Sequence, residues 1–383
     1  MTSPVRLIVG SSAVTVLAML PLFLLGALAV SIREELGFSE TALGIAVSVF
    51  FLTSAIVSVP GGRLSDRLGA RPSVLLASVM TVVAMLGIAA LTTGWLTLAL
   101  FLILAGTASG ISQPAANLLL ARSVPRRRQG LAFGTMKAAA PTASLLAGIA
   151  VPAIGLTVGW RWAFFLGSCV LVPIWLLLRQ QVGQPQAHRP QAKTERIDAT
   201  LLLPATALAL ASAGSSPLGV FFVESAVATG ISLGTAGILL SVGSLAGIAS
   251  RLTAGWLADR HAGNPMTGAM FLLAVGAVGL WIIAVADGFV GLAIGSVLAF
   301  GPGWSWPGLF NLAIVRHYDA APGSAIGATQ AGGHFGAVLS PPIFGVVAST
   351  ASFSAAWSLM GVLMLASTLL LAATHRASKN RPG

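Results

Sequence analysis

Two cations stand out among the residues of this chain able to do chemistry, because Lys137 and Arg251 sit deep inside long apolar stretches. An ionisable side chain at such a place is costly to keep there and marks a candidate functional site. Lys137 lies some way into its stretch and Arg251 lies ahead of Asp259 in its own. At ~1.5 Å per helical residue, each is roughly 12 Å from the same end of its helix. On helical spacing Lys137 shares a stripe with Gly130, Gly134, Pro141, Ser144 and Gly148, and Arg251 shares one with Ser241, Ser244, Gly247 and Gly255. Small and polar stripes of this kind face another helix or a cavity. Two cations at matched depth with no acidic partner make an anion site, since Arg can clamp a carboxylate through two parallel hydrogen bonds and Lys adds a point charge. The bland alternatives are that Lys137 snorkels to the headgroups, and that Arg251 contacts the Asp259 loop or backbone carbonyls.

Neutral polar residues would complete such a site. Gln113 and Asn117 are one helical turn apart, Asn311 follows Pro307, and Gln330 and His334 are again one turn apart. Each serves as well as interhelical glue. His334 titrates near neutral pH and is a candidate proton carrier, with a packing histidine as the alternative. Trp304 and Trp306 either wall a cavity or pack against neighbours. There is no nucleophile–base pair and no metal-ligand cluster, so no enzyme and no cofactor are expected. The single Cys169 excludes an internal disulfide.

The elements that must hold these residues are membrane helices. Hydrophobic residues make up 56% of the 383 and charged residues 8%, against about a quarter charged in a soluble protein. Twelve apolar stretches of spanning length fall near 7–31, 40–60, 73–92, 96–121, 130–153, 161–179, 200–222, 233–257, 266–286, 290–315, 325–347 and 354–374. The first is expected to be retained and not cleaved. A net charge of +11 could suggest a nucleic-acid partner. The basic residues instead lie between apolar stretches, so the excess reads as topology. Placing both termini in the cytoplasm puts 17 Lys and Arg there and only Arg33 and Arg161 outside. Glu34, Glu35, Glu40, Glu224 and Asp287 collect on the outer side, which leaves no membrane-embedded Asp or Glu.

A constant offset of 193 reveals an internal repeat: Ser39 matches Ser232, Gly62 matches Gly255, Asp66 matches Asp259, Arg67 matches Arg260 and Pro114 matches Pro307. Gln330 is the repeat mate of Lys137. The chain therefore reads as two six-helix halves, 1–178 and 200–383, joined by a polar cytoplasmic linker at 179–199.

The run Gly61-Gly62-Arg63-Leu64-Ser65-Asp66-Arg67-Leu68-Gly69-Ala70-Arg71 between the second and third spans resembles the signature loop of the major facilitator superfamily. A weaker copy, Gly255 to Arg260, stands at the equivalent place in the second half. The resemblance implies a conformational latch made of Gly62, Asp66, Arg67, Gly255, Asp259 and Arg260: glycine lets two helices approach, and Asp pairs with a neighbouring Arg or helix end. Gly159 to Phe165 is similar to the start of that family's sixth helix. The resemblance also implies that the fifth and eighth spans face each other, which would set Lys137 opposite Arg251. Ser250 to Asp259 looks like the eighth helix of the oxalate/formate antiporter and monocarboxylate transporter branch, where an Arg contacts the substrate carboxylate. Ile32 to Ser39 is similar to carriers of that kind. The second lysine of the oxalate branch is missing near Gln330 and His334, which tells against a dicarboxylate. The Arg that proton-coupled exporters often carry in the fourth helix is absent at Ala105, Gly106 and Ser109, and the fifth span reads Ala140-Pro141-Thr142-Ala143-Ser144 in place of a Gly-Pro motif.

The expectation is an all-α membrane protein of twelve transmembrane helices in two pseudo-symmetric bundles, multi-pass in the cell (inner) membrane and monomeric. It would be a secondary transporter of a small organic anion of the monocarboxylate kind, by proton symport or anion exchange. A proton-coupled exporter of drugs or metabolites is the alternative, and a non-transporting sensor or scaffold is the alternative of another class.

Overall fold

In a bilayer every backbone polar group must be satisfied within the protein, and a helix does this segment by segment. The computed structural model describes residues 4–123, 135–171, 201–260, 264–317 and 322–379, and contains no strand among them. Its helices are α1 (Pro4–Ala27), α2 (Ala29–Leu36), α3 (Glu40–Leu68), α4 (Ala70–Leu91), α5 (Trp95–Ser123), α6 (Ala139–Ala150), α7 (Trp160–Ser168), α8 (Leu202–Ser215), α9 (Leu218–Ala228), α10 (Leu233–Arg260), α11 (Pro265–Val285), α12 (Phe289–Phe300), α13 (Pro302–His317), α14 (Pro322–Thr350) and α15 (Phe353–Lys379). Eleven spans among the described residues are long and apolar enough to cross a membrane. The sixth expected span is seen as α7 and then passes outside the described residues, as does the 179–199 linker with both expected half boundaries.

Several spans are broken, each for a local reason. The seventh is split into α8 and α9 at Ser216 and Pro217, where proline offers no N–H to continue the ladder. The tenth breaks at Gly301 between α12 and α13, and α6 ends in a π-helical turn, Val151–Gly155, that contains Pro152. The seventh span also runs to Ala228, past the expected end at residue 222. Glu224, expected in an outer loop, is thereby a buried residue of α9, so the expectation of no membrane-embedded acid is corrected.

N-terminal and C-terminal helices meet along three seams: α3 with α14, α6 with α10, and α1 with α9. A Cβ on Gly44 would overlap the Pro341 backbone, and one on Gly148 would overlap Gly237 and Ser241, so glycine is what allows these axes to approach. Hydrogen bonds follow the same seams, from Thr41 to Ser349 at 3.1 Å and from Ser244 to Ser144 at 2.8 Å. These contacts run from the ends of α3 and α14 near Glu40 and Gly345, the sealed end, inward to Lys137 and Arg251. Beyond that depth, among the described residues, no hydrogen bond or glycine contact joins α3 to α14 or α6 to α10. The opposite end is the open one.

Candidate functional site

Lys137 and Arg251 come together where the α6–α10 seam stops. The stripes fold as their spacing demands: Ser144 bonds Ser244, Ser241 donates to the Leu145 carbonyl at 3.4 Å, and Gly247 lies against Pro141. One helical turn further, the Arg251 guanidinium donates through Nη1 to the Lys137 carbonyl. Its Nε and Nη2 both donate to the Trp304 carbonyl, at 3.1 and 2.7 Å. A guanidinium has five N–H groups, so two remain for a ligand. The alternative of backbone contacts for Arg251 is therefore present in the structure, and it positions the cation without exhausting its donors.

The Lys137 side chain is exposed, although its stripe-mates Pro141 and Ser144 are buried against α10. Its charge lies within reach of α10 and α14, helices of the other set. His334 on α14 is exposed and lies within reach of the Lys137 charge, as Lys137 lies within reach of that of Arg251. Among the described residues no carboxylate pairs with Lys137 or Arg251. Anion chemistry is what such an arrangement offers: three basic side chains close together, with no carboxylate among the described residues to neutralise them.

Gln330, one turn before His334, donates to the Asn311 Oδ1 at 3.1 Å and so links α14 to α13. Gln113 is half-buried on α5. Asn117 lies one turn further along α5, its side chain outside those described. Trp304 is packed rather than lining a cavity: it is buried, donates from Nε1 to the Ser215 carbonyl at 2.8 Å, and meets Phe23 and Phe300 edge-on. Trp306 is also buried.

The latch residues Gly62 and Arg67 lie toward the C-terminal end of α3 and Gly255 and Arg260 toward that of α10, Gly255 being one turn beyond Arg251, with the Asp66 and Asp259 side chains outside those described. The close approach expected of Gly62 belongs to its neighbour. A Cβ on Gly61 would press on the Gly110 carbonyl, whereas Gly62 has ordinary contact with Pro114 and Gly255 faces open space. Arg260 stacks on the Trp256 ring at 4.2 Å. The start of α7 does hold aromatic and basic anchors. Gly159 takes φ +99°, Trp160 Nε1 donates to Glu35 at 2.6 Å, and Arg161 pairs with Glu35 and donates to the Thr92 carbonyl at 2.8 Å. Burial would raise the Glu35 pKa, but these donors and the Arg161 charge outweigh it and hold the carboxyl below its ordinary value.

One arrangement escaped the sequence reading. Arg33 of α2 forms an ion pair with Glu224 of α9 and another with Glu40 of α3 at 2.8 Å, and also donates to the Phe38 carbonyl at 2.9 Å. This ties N-terminal to C-terminal helices at the sealed end. The available signal was Arg33, one of only two basic residues placed on the acidic outer side.

Residues 12–329 and 205–383 match the family profile described as the Major Facilitator Superfamily. Similar proteins include an uncharacterized transporter, YybO, of Bacillus subtilis, 28% identical over 43% of this chain and 38% of that protein. The multidrug resistance protein MdtG of Enterobacter lignolyticus is 28% identical over 57% of this chain and 54% of its own. The chain thus spans about half or less of the length of these two relatives. A protein of Agrobacterium vitis provisionally named a tartrate transporter is 25% identical over 92% of this chain and 86% of its own.

Proposed function

The chain belongs to the major facilitator superfamily, and we propose that within it the protein is a secondary active carrier of a small organic anion of the monocarboxylate class. The observation that carries this reading is the meeting of Lys137 and Arg251 between helices of the two sets with no carboxylate beside them among the described residues. The two six-helix halves, 1–178 and 200–383, rock about that point. The sealed end faces outward and both termini are cytoplasmic, as the distribution of Lys and Arg favours. An entering anion meets the free Lys137 ammonium and the two unused N–H groups of Arg251. Its charge cancels the repulsion among Lys137, Arg251 and His334, and so favours closure of the open end around it. Gln113, Asn117, and the Gln330–Asn311 pair supply hydrogen bonds. Closure brings together the latch residues around Asp66 and Asp259. His334 is the proton carrier if coupling is by symport, and exchange of one anion for another needs no such group. The likeness to the Agrobacterium protein supports an organic anion, and the branch with oxalate/formate and monocarboxylate carriers remains part of this proposal.

A second reading, export of drugs or metabolites, is favoured by the likeness to MdtG. Liposomes holding the purified protein separate the two. Saturable uptake of a labelled monocarboxylate, competed by other carboxylates and insensitive to lipophilic cations, is the expected result. Flux of cationic drugs with no carboxylate uptake would overturn the anion reading.

A further inference from the structure

The acid buried in α9 has no part in the anion site. Glu224 is 5% exposed, its Oε1 pairs with Arg33, and its Oε2 is buried without a hydrogen-bond partner among the described residues. Arg33 is shared with Glu40, so this cluster holds two carboxylates and one guanidinium, a surplus of one negative charge, and Glu224 is its buried member while Arg33 and Glu40 are 18% and 24% exposed. Charge without a partner is costly when buried, and a proton on Oε2 is the smallest change that removes it. The elements packed on α9 bring little else to neutralise it. The only titratable group on α1 is Arg6, at its far end, and α12 has none. α14 and α13 also touch α9, through Phe344 on Phe221 and Trp304 on Gly219, but His334 of α14, Arg316 and His317 of α13, and Arg251, Asp259 and Arg260 of α10 all lie toward the other ends of those helices. On α2 stand Arg33 itself, Glu34, and Glu35, the last held by Trp160 and Arg161.

We propose that Glu224 is a proton-binding site whose occupancy releases the sealed end, because the proton cancels the charge that joins α9 to Arg33 across the two halves. Transient openings admit the proton, and a neutral Glu224 no longer draws Arg33 back. The inference stands independently of the anion site: it concerns other residues and requires no substrate.

The test places spin labels on Thr93→Cys and Asp287→Cys, both exposed at the sealed end, in a Cys169→Ser background and without substrate. Acidifying from about pH 8 to about pH 5 should raise the ratio of long to short distances about tenfold, the effect of losing a hydrogen bond between charged groups. Glu224→Gln should give the high ratio at both pH values. The proposal is overturned if the parent distances ignore pH, if Glu224→Gln titrates as the parent does, or if it stays on the short distance throughout. Should Glu224→Gln not fold, Glu40→Gln decides. It leaves the Arg33–Glu224 pair but removes the surplus charge, so opening should need more acid, and an unchanged midpoint refutes the assignment.

Discussion

Lys137→Ala separates binding from architecture more cleanly than any other change at the site. Among the described residues the Lys137 ammonium has no hydrogen bond or ion pair, and Arg251 uses only the Lys137 carbonyl, which alanine keeps. Stability should therefore change by no more than about 0.5 kcal/mol, as for an exposed residue. Relief of repulsion with Arg251 pushes the change toward stabilisation. Binding should respond differently, because a hydrogen bond to a charged group is worth about 1.5–3 kcal/mol, or roughly ten- to a hundredfold in affinity. A carboxylate supplied at about 1,000 times its Kd stabilises the parent by about 4.1 kcal/mol, and a hundredfold loss leaves about 1.4 kcal/mol at the same concentration. Thermal melts of the purified protein with and without carboxylate read both quantities at once. An unchanged melting temperature without ligand and a ligand shift cut to about a third is the expected outcome. If the shift survives intact, the ammonium does not meet the anion. If the unliganded protein loses several degrees, Lys137 holds the helices together and is structural.

Arg251→Lys should cost both terms, since an ammonium cannot serve the Trp304 and Lys137 carbonyls together. A lower unliganded melting temperature and about tenfold weaker carboxylate binding are expected, and wild-type affinity in a folded variant would make Arg251 purely structural. Gly148→Val drives a side chain into Gly237 and Ser241, so the α6–α10 seam should part and labels at the sealed end should read longer distances; unchanged distances would show that the seam does not set the closure. Asp66→Asn should slow transport while leaving the ligand-induced melting shift intact, and the reverse pattern would remove the latch from the mechanism. Glu35 has a lowered folded-state pKa, so its contribution is present above the ordinary carboxylate value and is lost as pH falls through the folded one. Melting curves of the parent and Glu35→Gln should converge only in that acid range, from a gap of about 1 kcal/mol or less because the pair is half exposed, and a gap independent of pH would refute the assignment.

The amino-acid sequence alone placed most of the spans, though not all their ends, together with the repeat and the face on which each cation lies, because apolar length and helical period are properties of a single segment. The stripes of Pro141, Ser144 and Gly148 and of Ser241, Ser244 and Gly247 were legible in this way, whereas their meeting each other was an expectation from the family resemblance. Which partner each polar group takes is a different matter. Arg251 could reach an anion, a loop or a carbonyl from the same helix position, and only the break of the tenth span at Gly301 sets the Trp304 carbonyl under its guanidinium. Glu224 was misplaced because apolar counting ends a span at the polar run near residue 222, whereas packing of α9 on α1 carries the helix past it. Its pairing with Arg33 joins residues nearly two hundred positions apart, and such a contact leaves no trace in local pattern. Tertiary structure alone decided that one end of the molecule is sealed, since closure is a relation between two halves whose helices would read the same in either state.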